Sequence, residues 1–281
     1  MRIARFEHAG SVHVGIVDVD RQVIDVVDGD DVLAIAGLGA PPASTETVAL
    51  VEVRLLAPIP LPPNFLAIGL NYADHVNESG RDKPEFPIFF NKQRTCVTGP
   101  YDPIHVPRAS NVVDYEGELG LVIGRRCRHV PAARALEVIA GCLVVDDVSV
   151  RDWQVRSPTM TLGKSWDTHG PTGPWLTTPD EIADPQALHL QTWVNGELLQ
   201  DASTKEMVWS IAEQIEVLST VCTLEPGTIL ATGTPAGVGI ARKPPILLKP
   251  GDVVRIEVEG LGAIENPVIA EPDDTAVGFD A

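Results

Sequence analysis

The sequence predicts a mixed β (α+β) fold with a small N-terminal α+β domain, and three observations carry that prediction. Short stretches alternating apolar and polar residues, bounded by turn residues, recur along most of the chain, as in Val12 to Val19. Asn195-Gly196 stands between two apolar runs, the strongest short-range hairpin signal. Only one long stretch has helical spacing: Val208, Ile211, Ala212, Ile215 and Cys222.

Taken in order, residues 1–27 read as two or three short strands, 31–37 as a short helix and 38–46 as a Gly/Ala/Pro/Ser loop. Pro58, Pro60, Pro62 and Pro63 then punctuate the chain, which places a boundary between a small domain over 1–58 and a larger one over 59–281. In the larger part, Phe65 to Gly69, Pro87 to Phe90, Glu116 to Gly124 and Ile139 to Val145 read as strands. Ser203 and Glu206 have capping-box spacing, so the long helix is expected to start there and to stop at Pro226-Gly227. Thr228 to Ala231 runs as a strand into a Gly-rich loop, and Val253 to Val258 with Ala263 to Ile269 form a closing pair.

Composition narrows the function classes. With 39 acidic and 21 basic residues the formal charge is −18. Nucleic acid and anionic membranes are recognised by clustered Lys and Arg, so neither is expected as a partner. No apolar run approaches a membrane span. The four cysteines form no CxxC pair, and Cys142 and Cys222 sit in apolar runs as expected core fillers. A reducing cytoplasm suits this pattern.

Five segments carry candidate chemistry. In Asp114-Tyr-Glu-Gly-Glu, Glu116 and Glu118 are two apart on a predicted strand, so both side chains leave one face. Two carboxylates forced together repel unless one protonates or a cation sits between them. Asp146 and Asp147 end a strongly apolar run, which puts acids at the mouth of a buried strand. A hard oxygen set without Cys or His favours Mg²⁺, with Mn²⁺ or Ca²⁺ as alternatives, over zinc. In Asn71-Tyr-Ala-Asp-His-Val-Asn-Glu, Asn71 is placed to cap a short helix that Gly80 ends. His75 and Glu78 then share one helical face, where a carboxylate orients an imidazole as general base. Taken alone, the pair reads as two exposed surface residues with no role. Lys164 lies among small residues and can bind a carboxylate. The loop Ala231-Thr-Gly-Thr-Pro-Ala-Gly-Val-Gly lacks nucleotide-loop spacing, but its N–H groups can cradle a carboxylate.

In this order and combination the five segments resemble the fumarylacetoacetate hydrolase family, from about Phe65 to Val268. The N-terminal part resembles the small leading domain of many bacterial members. The resemblance implies a fumarylacetoacetase C-terminal-like β-roll or barrel core and a homodimer. It implies a metal on Glu116, Glu118 and Asp147, with Asp74 a further ligand in some members. It implies a His75–Glu78 dyad, a catalytic Lys164, and substrate contacts from Arg151, Gln154, Lys164 and Thr234. Three departures stand out. Asp146 occupies a position more usually Asn, Leu70 one where pyruvate-releasing members often have Arg, and Trp166 and His169 are unusual and are assigned to the shape of the substrate pocket. The implied activity is hydrolysis of a C–C bond in a 2,4-dioxo acid, an acylpyruvate or fumarylacetoacetate type. Isomerisation of a 2-hydroxy-dienoate and decarboxylation of oxaloacetate are alternatives on the same scaffold. A non-catalytic binding protein is the distant alternative.

Overall fold

Strand alternation at the N-terminus produces an antiparallel meander of Arg2–His8, Ser11–Asp18, Val23–Val27 and Ser44–Ala49 in the computed structural model, which describes residues 1–273. A short helix, Val32–Ala36, interrupts it, and the Asp31 side chain caps that helix by accepting the Leu33 N–H at 2.8 Å. The meander extends a larger sheet: Arg2 and Ile3 pair with Thr177 and Leu176 of the strand Gly170–Thr177. Beyond that strand the sheet continues through Ile139–Asp146, Gly117–Ile123, Ile229–Ala231, Phe65–Gly69 and Ile88–Lys92. A five-stranded sheet built on the hairpin His189–Val194/Glu197–Ser203 packs beside it. Asn195 and Gly196 both have positive φ, 52° and 82°, as a two-residue hairpin turn requires.

Among the described residues, no sheet closes into a barrel, which corrects the barrel half of the expected core. The large sheet stays open because its path ends on two separate strands, Ser44–Ala49 and Ile88–Lys92. The main apolar core lies under Gly117–Ile123 and Ile139–Asp146, where Leu119, Leu121, Cys142 and Val144 meet Leu190, Ile215 and Ile256. No helix among the described residues is long and apolar enough to cross a membrane.

Three local expectations are corrected, and one strand that the sequence pattern did not mark is added. The Ser203–Glu206 capping box exists, but it closes a 3₁₀ turn, Thr204–Glu206. The long helix is Ile211–Val221, opened by a second box of Ser210 and Glu213. Tertiary pairing intervenes between the two: Met207 bridges Tyr72, and the Val208 N–H donates to the Asn71 carbonyl at 2.7 Å, holding 207–209 extended. Cys222 follows the last helical turn and is exposed, whereas Cys142 is buried. Gly170–Thr177 is a buried strand despite Pro171 and Pro174. Asn71 does not cap the helix Ala73–Ser79, whose N-cap is Tyr72 with no side-chain bond.

Asn71 is instead a clamp. Its Nδ2 donates to the carbonyls of Thr232 (2.7 Å) and Trp209 (3.1 Å), and its Oδ1 accepts the Trp209 N–H at 2.8 Å. One fully buried side chain thus satisfies three backbone groups of distant segments, where capping would satisfy one. Asn71→Ala should lower stability by about 1–3 kcal/mol, read as a reduced urea midpoint, because those groups lose their partner away from water. An unchanged midpoint would show that the clamp is dispensable.

Candidate active site and metal centre

The convergence of three acids follows from strand register. Gly117–Ile123 pairs antiparallel with Ile139–Asp146, with Gly117 opposite Asp146. One step further along that register sets Glu116 beside Asp147, and the Asp147 N–H donates to the Glu116 carbonyl at 2.9 Å. Glu116, Glu118 and Asp147 therefore converge, each buried, with a ligand atom from each lying within 4.8 Å of the others. Asp74 is exposed on the first turn of Ala73–Ser79 and stands outside this group. Asp146 is fully buried, and its Oδ1 accepts the Glu116 N–H at 2.9 Å rather than joining the triad.

Charge at the centre is unbalanced. Five carboxylates (Asp114, Glu116, Glu118, Asp146 and Asp147) share this interior with three cations, Lys92, Arg151 and Lys164, leaving two formal negative charges in excess. Burial raises the Glu116 carboxyl, but Lys164 at 2.5 Å and Arg151 at 2.7 Å outweigh it and hold that group well below the usual range. Glu118 makes no ion pair among the described residues. Burial, then the charges of Asp147 and Glu116, push it well above the usual range, despite the Gly233 N–H donated to its Oε2 at 2.7 Å. Burial likewise pushes Asp146 up to about 7. A divalent cation fits this donor set: it matches the excess charge, meets three hard oxygens, and favours ionised Glu118.

Lys164 was assigned to substrate, and the structure places it on the protein's own carboxylates. Its Nζ donates to Glu116 Oε2 (2.5 Å) and Asp147 Oδ2 (2.7 Å), and those anions outweigh desolvation to keep it charged. Lys92, which sequence reasoning missed, holds the other Asp147 oxygen at 2.7 Å and donates to the Lys164 carbonyl at 2.5 Å. The signal was present as alternation: Phe90 and Lys92 point inward from the strand Ile88–Lys92 while Asn91 is exposed.

The dyad forms as its spacing predicts. Ala73–Ser79 is helical, and His75 Nδ1 lies 3.2 Å from Glu78 Oε2. The other Glu78 oxygen accepts the Gly237 N–H at 2.9 Å. Burial raises the Glu78 carboxyl, but the His75 and Gly237 hydrogen bonds outweigh it and hold it below the usual range. Gly237 has φ of 105°, and a Cβ there would stand 2.0 Å from the Leu199 carbonyl, so only glycine fits. The Gly-rich loop does cradle carboxylates, as its composition suggests, but they are Glu118, Glu78 and Asp114.

A cavity of about 950 Å³ opens onto these groups and is lined by His75, Glu78, Glu116, Glu118 and Lys164. Arg151, Gln154, Thr234 and Leu70 also line it. Arg151 is committed to Asp114 and Glu116, and Gln154 accepts from Arg151 at 3.1 Å. Thr234 donates to the Gly117 carbonyl at 3.0 Å and accepts from Gln200 at 2.8 Å. Trp166 and His169 do not line the cavity. The Trp166 ring packs edge-on against Trp153, and His169 is buried with Nε2 2.8 Å from the His105 carbonyl.

Comparison with known proteins agrees with this geometry. Residues 64–269 match the family described as "Fumarylacetoacetate (FAA) hydrolase C-terminal", and residues 1–58 match one described as "Rv2993c-like, N-terminal". A Burkholderia lata protein carrying a provisional hydrolase name is 44% identical over 272 residues, 93% of this chain and 96% of its own. The crystal structure of a 5-carboxymethyl-2-hydroxymuconate delta-isomerase from Mycobacterium smegmatis superposes with a TM-score of 0.83 at 38% identity, covering 96% of this chain and 100% of that one. A fumarylacetoacetate hydrolase from Exiguobacterium antarcticum superposes with a TM-score of 0.86 at 36% identity and the same coverage.

The triad makes a direct prediction for metal addition and for its loss. Saturating Mg²⁺ or Mn²⁺ should raise the melting temperature, by about 2.7 kcal/mol of stabilisation at a hundredfold excess over Kd. Glu118→Ala should weaken Mn²⁺ binding more than about 100-fold in an electron paramagnetic resonance titration, with an unchanged circular dichroism spectrum. Wild-type affinity in that variant would remove Glu118 from the ligand set.

Proposed function

Because the chain belongs to the fumarylacetoacetate hydrolase family, we propose that it is a metal-dependent enzyme that hydrolyses the C3–C4 bond of a small 2,4-dioxo acid. The observation that carries this reading is the shared cavity: a carboxylate-oriented imidazole, His75–Glu78, faces the same space as Glu116 and Glu118, the two triad members that line it, with Asp147 buried beside them. A bound divalent cation supplies Lewis-acid polarisation of the oxygens of a 2-oxo acid.

The chain's own groups do the rest. Glu78 is fixed from one side by the Gly237 N–H and holds His75 Nδ1 from the other, which leaves Nε2 as the free basic nitrogen. His75 takes a proton from water as its oxygen adds to the C4 carbonyl. The C3–C4 bond then breaks, its electron pair stays with C3, and C3 takes the proton that His75 holds. Water has thus delivered its hydroxyl to the acyl carbon and its hydrogen to C3, giving a carboxylic acid and a pyruvate-type 2-oxo acid. The Lys164 ammonium, buried against Glu116 and Asp147, sets a fixed positive charge beside the carbons that gain negative charge.

A second reading is favoured by the similarity to a delta-isomerase at 38% identity. There the same His75 takes the proton of the 2-hydroxyl of a 2-hydroxy-dienoate and delivers a proton to a carbon of the dienol as it ketonises, and no water adds. His75→Ala separates the two when paired with substrate choice. On an acylpyruvate it should lose about 10²–10⁴-fold in kcat while oxalate still binds by calorimetry. Cleavage at the wild-type rate would eliminate the dyad mechanism. Ketonisation of a dienol by the wild-type enzyme, without cleavage of any 2,4-dioxo acid, would install the isomerase.

The same reading includes a symmetric homodimer in a reducing compartment, consistent with four free cysteines among the described residues. Light scattering at micromolar concentration should give twice the chain mass of 30.1 kDa. A monomer mass would refute the dimer without touching the chemistry.

A further inference from the structure

The two halves of the site, triad and dyad, sit on different elements and share no direct hydrogen bond, yet one side chain reaches both. Asp114 is fully buried and is neither a triad member nor a cavity-lining residue. Its Oδ1 accepts the Gly239 N–H at 2.7 Å and the Tyr115 N–H at 3.0 Å, and its Oδ2 accepts the Ile240 N–H at 3.0 Å. The same Oδ2 accepts the Arg151 Nε–H at 2.8 Å, and Nη2 stands 2.8 Å from it as an ion-pair contact without hydrogen-bond geometry.

Each contact leads onward. Arg151 turns its remaining nitrogen, Nη1, onto Glu116 Oε1 at 2.7 Å, so the guanidinium is a rigid spacer between Asp114 and a metal ligand. Gly239 and Ile240 belong to the loop whose Gly237 N–H holds Glu78. The residue after Asp114 ties the same loop: the Tyr115 hydroxyl donates to the Gly237 carbonyl at 2.8 Å. Gly239 can approach this closely because it has no side chain, since a Cβ there would stand 2.5 Å from Asp114 Oδ1.

We infer that Asp114 is the positioning residue that sets the metal centre and the general-base dyad in one frame, through Arg151 to Glu116 on one side and through the 237–240 loop to Glu78 on the other. It touches neither substrate nor metal. Surrounding a carboxylate with three backbone N–H groups and a two-nitrogen guanidinium contact saturates its acceptor positions, which fixes the carboxylate and everything bonded to it. This inference rests on Glu116, Glu118 and Asp147 being the metal ligands, and its test reads metal affinity as well as turnover.

Asp114→Asn keeps the shape but turns an amide N–H₂ toward either Arg151 or the loop, donor against donor. Mn²⁺ affinity, followed by electron paramagnetic resonance, should fall about 10–100-fold, the usual effect of losing a partner behind a metal ligand. Arg151→Lys should lose a similar factor, because one ammonium cannot serve Asp114 and Glu116 together. The double variant should lose no more than the larger single loss, since both act along one path. At saturating metal, Asp114→Asn should still show a loss of about 10-fold or more in kcat, and that loss should vanish in a His75→Ala background, because the loop acts through the dyad. A purely structural role would lower the melting temperature and leave Mn²⁺ affinity at the wild-type value, which overturns the proposal. If Asp114→Asn does not fold, Arg151→Lys decides alone: wild-type Mn²⁺ affinity there would sink the relay. Failure of the hydrolase reading is a separate event, visible as the expected losses of metal affinity in these variants with no 2,4-dioxo acid cleaved by the wild-type enzyme.

Discussion

The site depends first on the antiparallel register between Gly117–Ile123 and Ile139–Asp146. Glu116 and Glu118 share a face because strand side chains alternate, and Asp147 joins them only because the partner strand is in the register that sets it beside Glu116. A slip of one residue would exchange the two buried faces, sending Leu119, Leu121 and Val144 to the side that carries the acids and the acids into the main apolar core. Apolar packing along the same two strands therefore enforces an arrangement of carboxylates that electrostatics alone would push apart.

Repulsion among those carboxylates explains the surrounding polar residues. Burying several acids in one interior is unfavourable unless each finds a cation or N–H donor. Lys92 and Lys164 hold the two Asp147 oxygens, Arg151 and Lys164 hold Glu116, and the Gly233 N–H holds Glu118. The donors are unequally distributed. Glu116 is driven well below the usual carboxylate range while Glu118 is driven well above it, so the triad has one member that demands a further positive charge. That asymmetry, rather than the bare presence of three acids, is the physical case for a metal.

Legibility in the sequence followed the range of the interactions. Strand period made Glu116 and Glu118 readable as a pair, the end of an apolar run offered Asp146 and Asp147 together, and helical spacing put His75 beside Glu78, while the choice of Asp147 and the dyad's role came from the family resemblance. Lys92 and Asp114 were not, since their meaning lies in partners 55 and 125 residues away. Gly170–Thr177 was left unassigned, because its prolines and glycines mask the strand pattern that pairing with neighbouring strands completes. The helix start at Ile211 was misplaced because the Asn71 carbonyl captures Val208 and delays the turn, a tertiary override of a sound capping signal.

The Gly-rich loop shows why such a site tolerates several chemistries. Its N–H groups are spent on Glu118, Glu78 and Asp114 rather than on substrate, so the loop fixes the catalytic frame and leaves the cavity walls to select what enters. Leu70 is an apolar part of those walls. A frame built from backbone donors and buried carboxylates therefore leaves the wall residues to shape the space that His75 faces. Hydrolase and isomerase members at 36% and 38% identity with nearly equal TM-scores are what such a division between frame and wall produces.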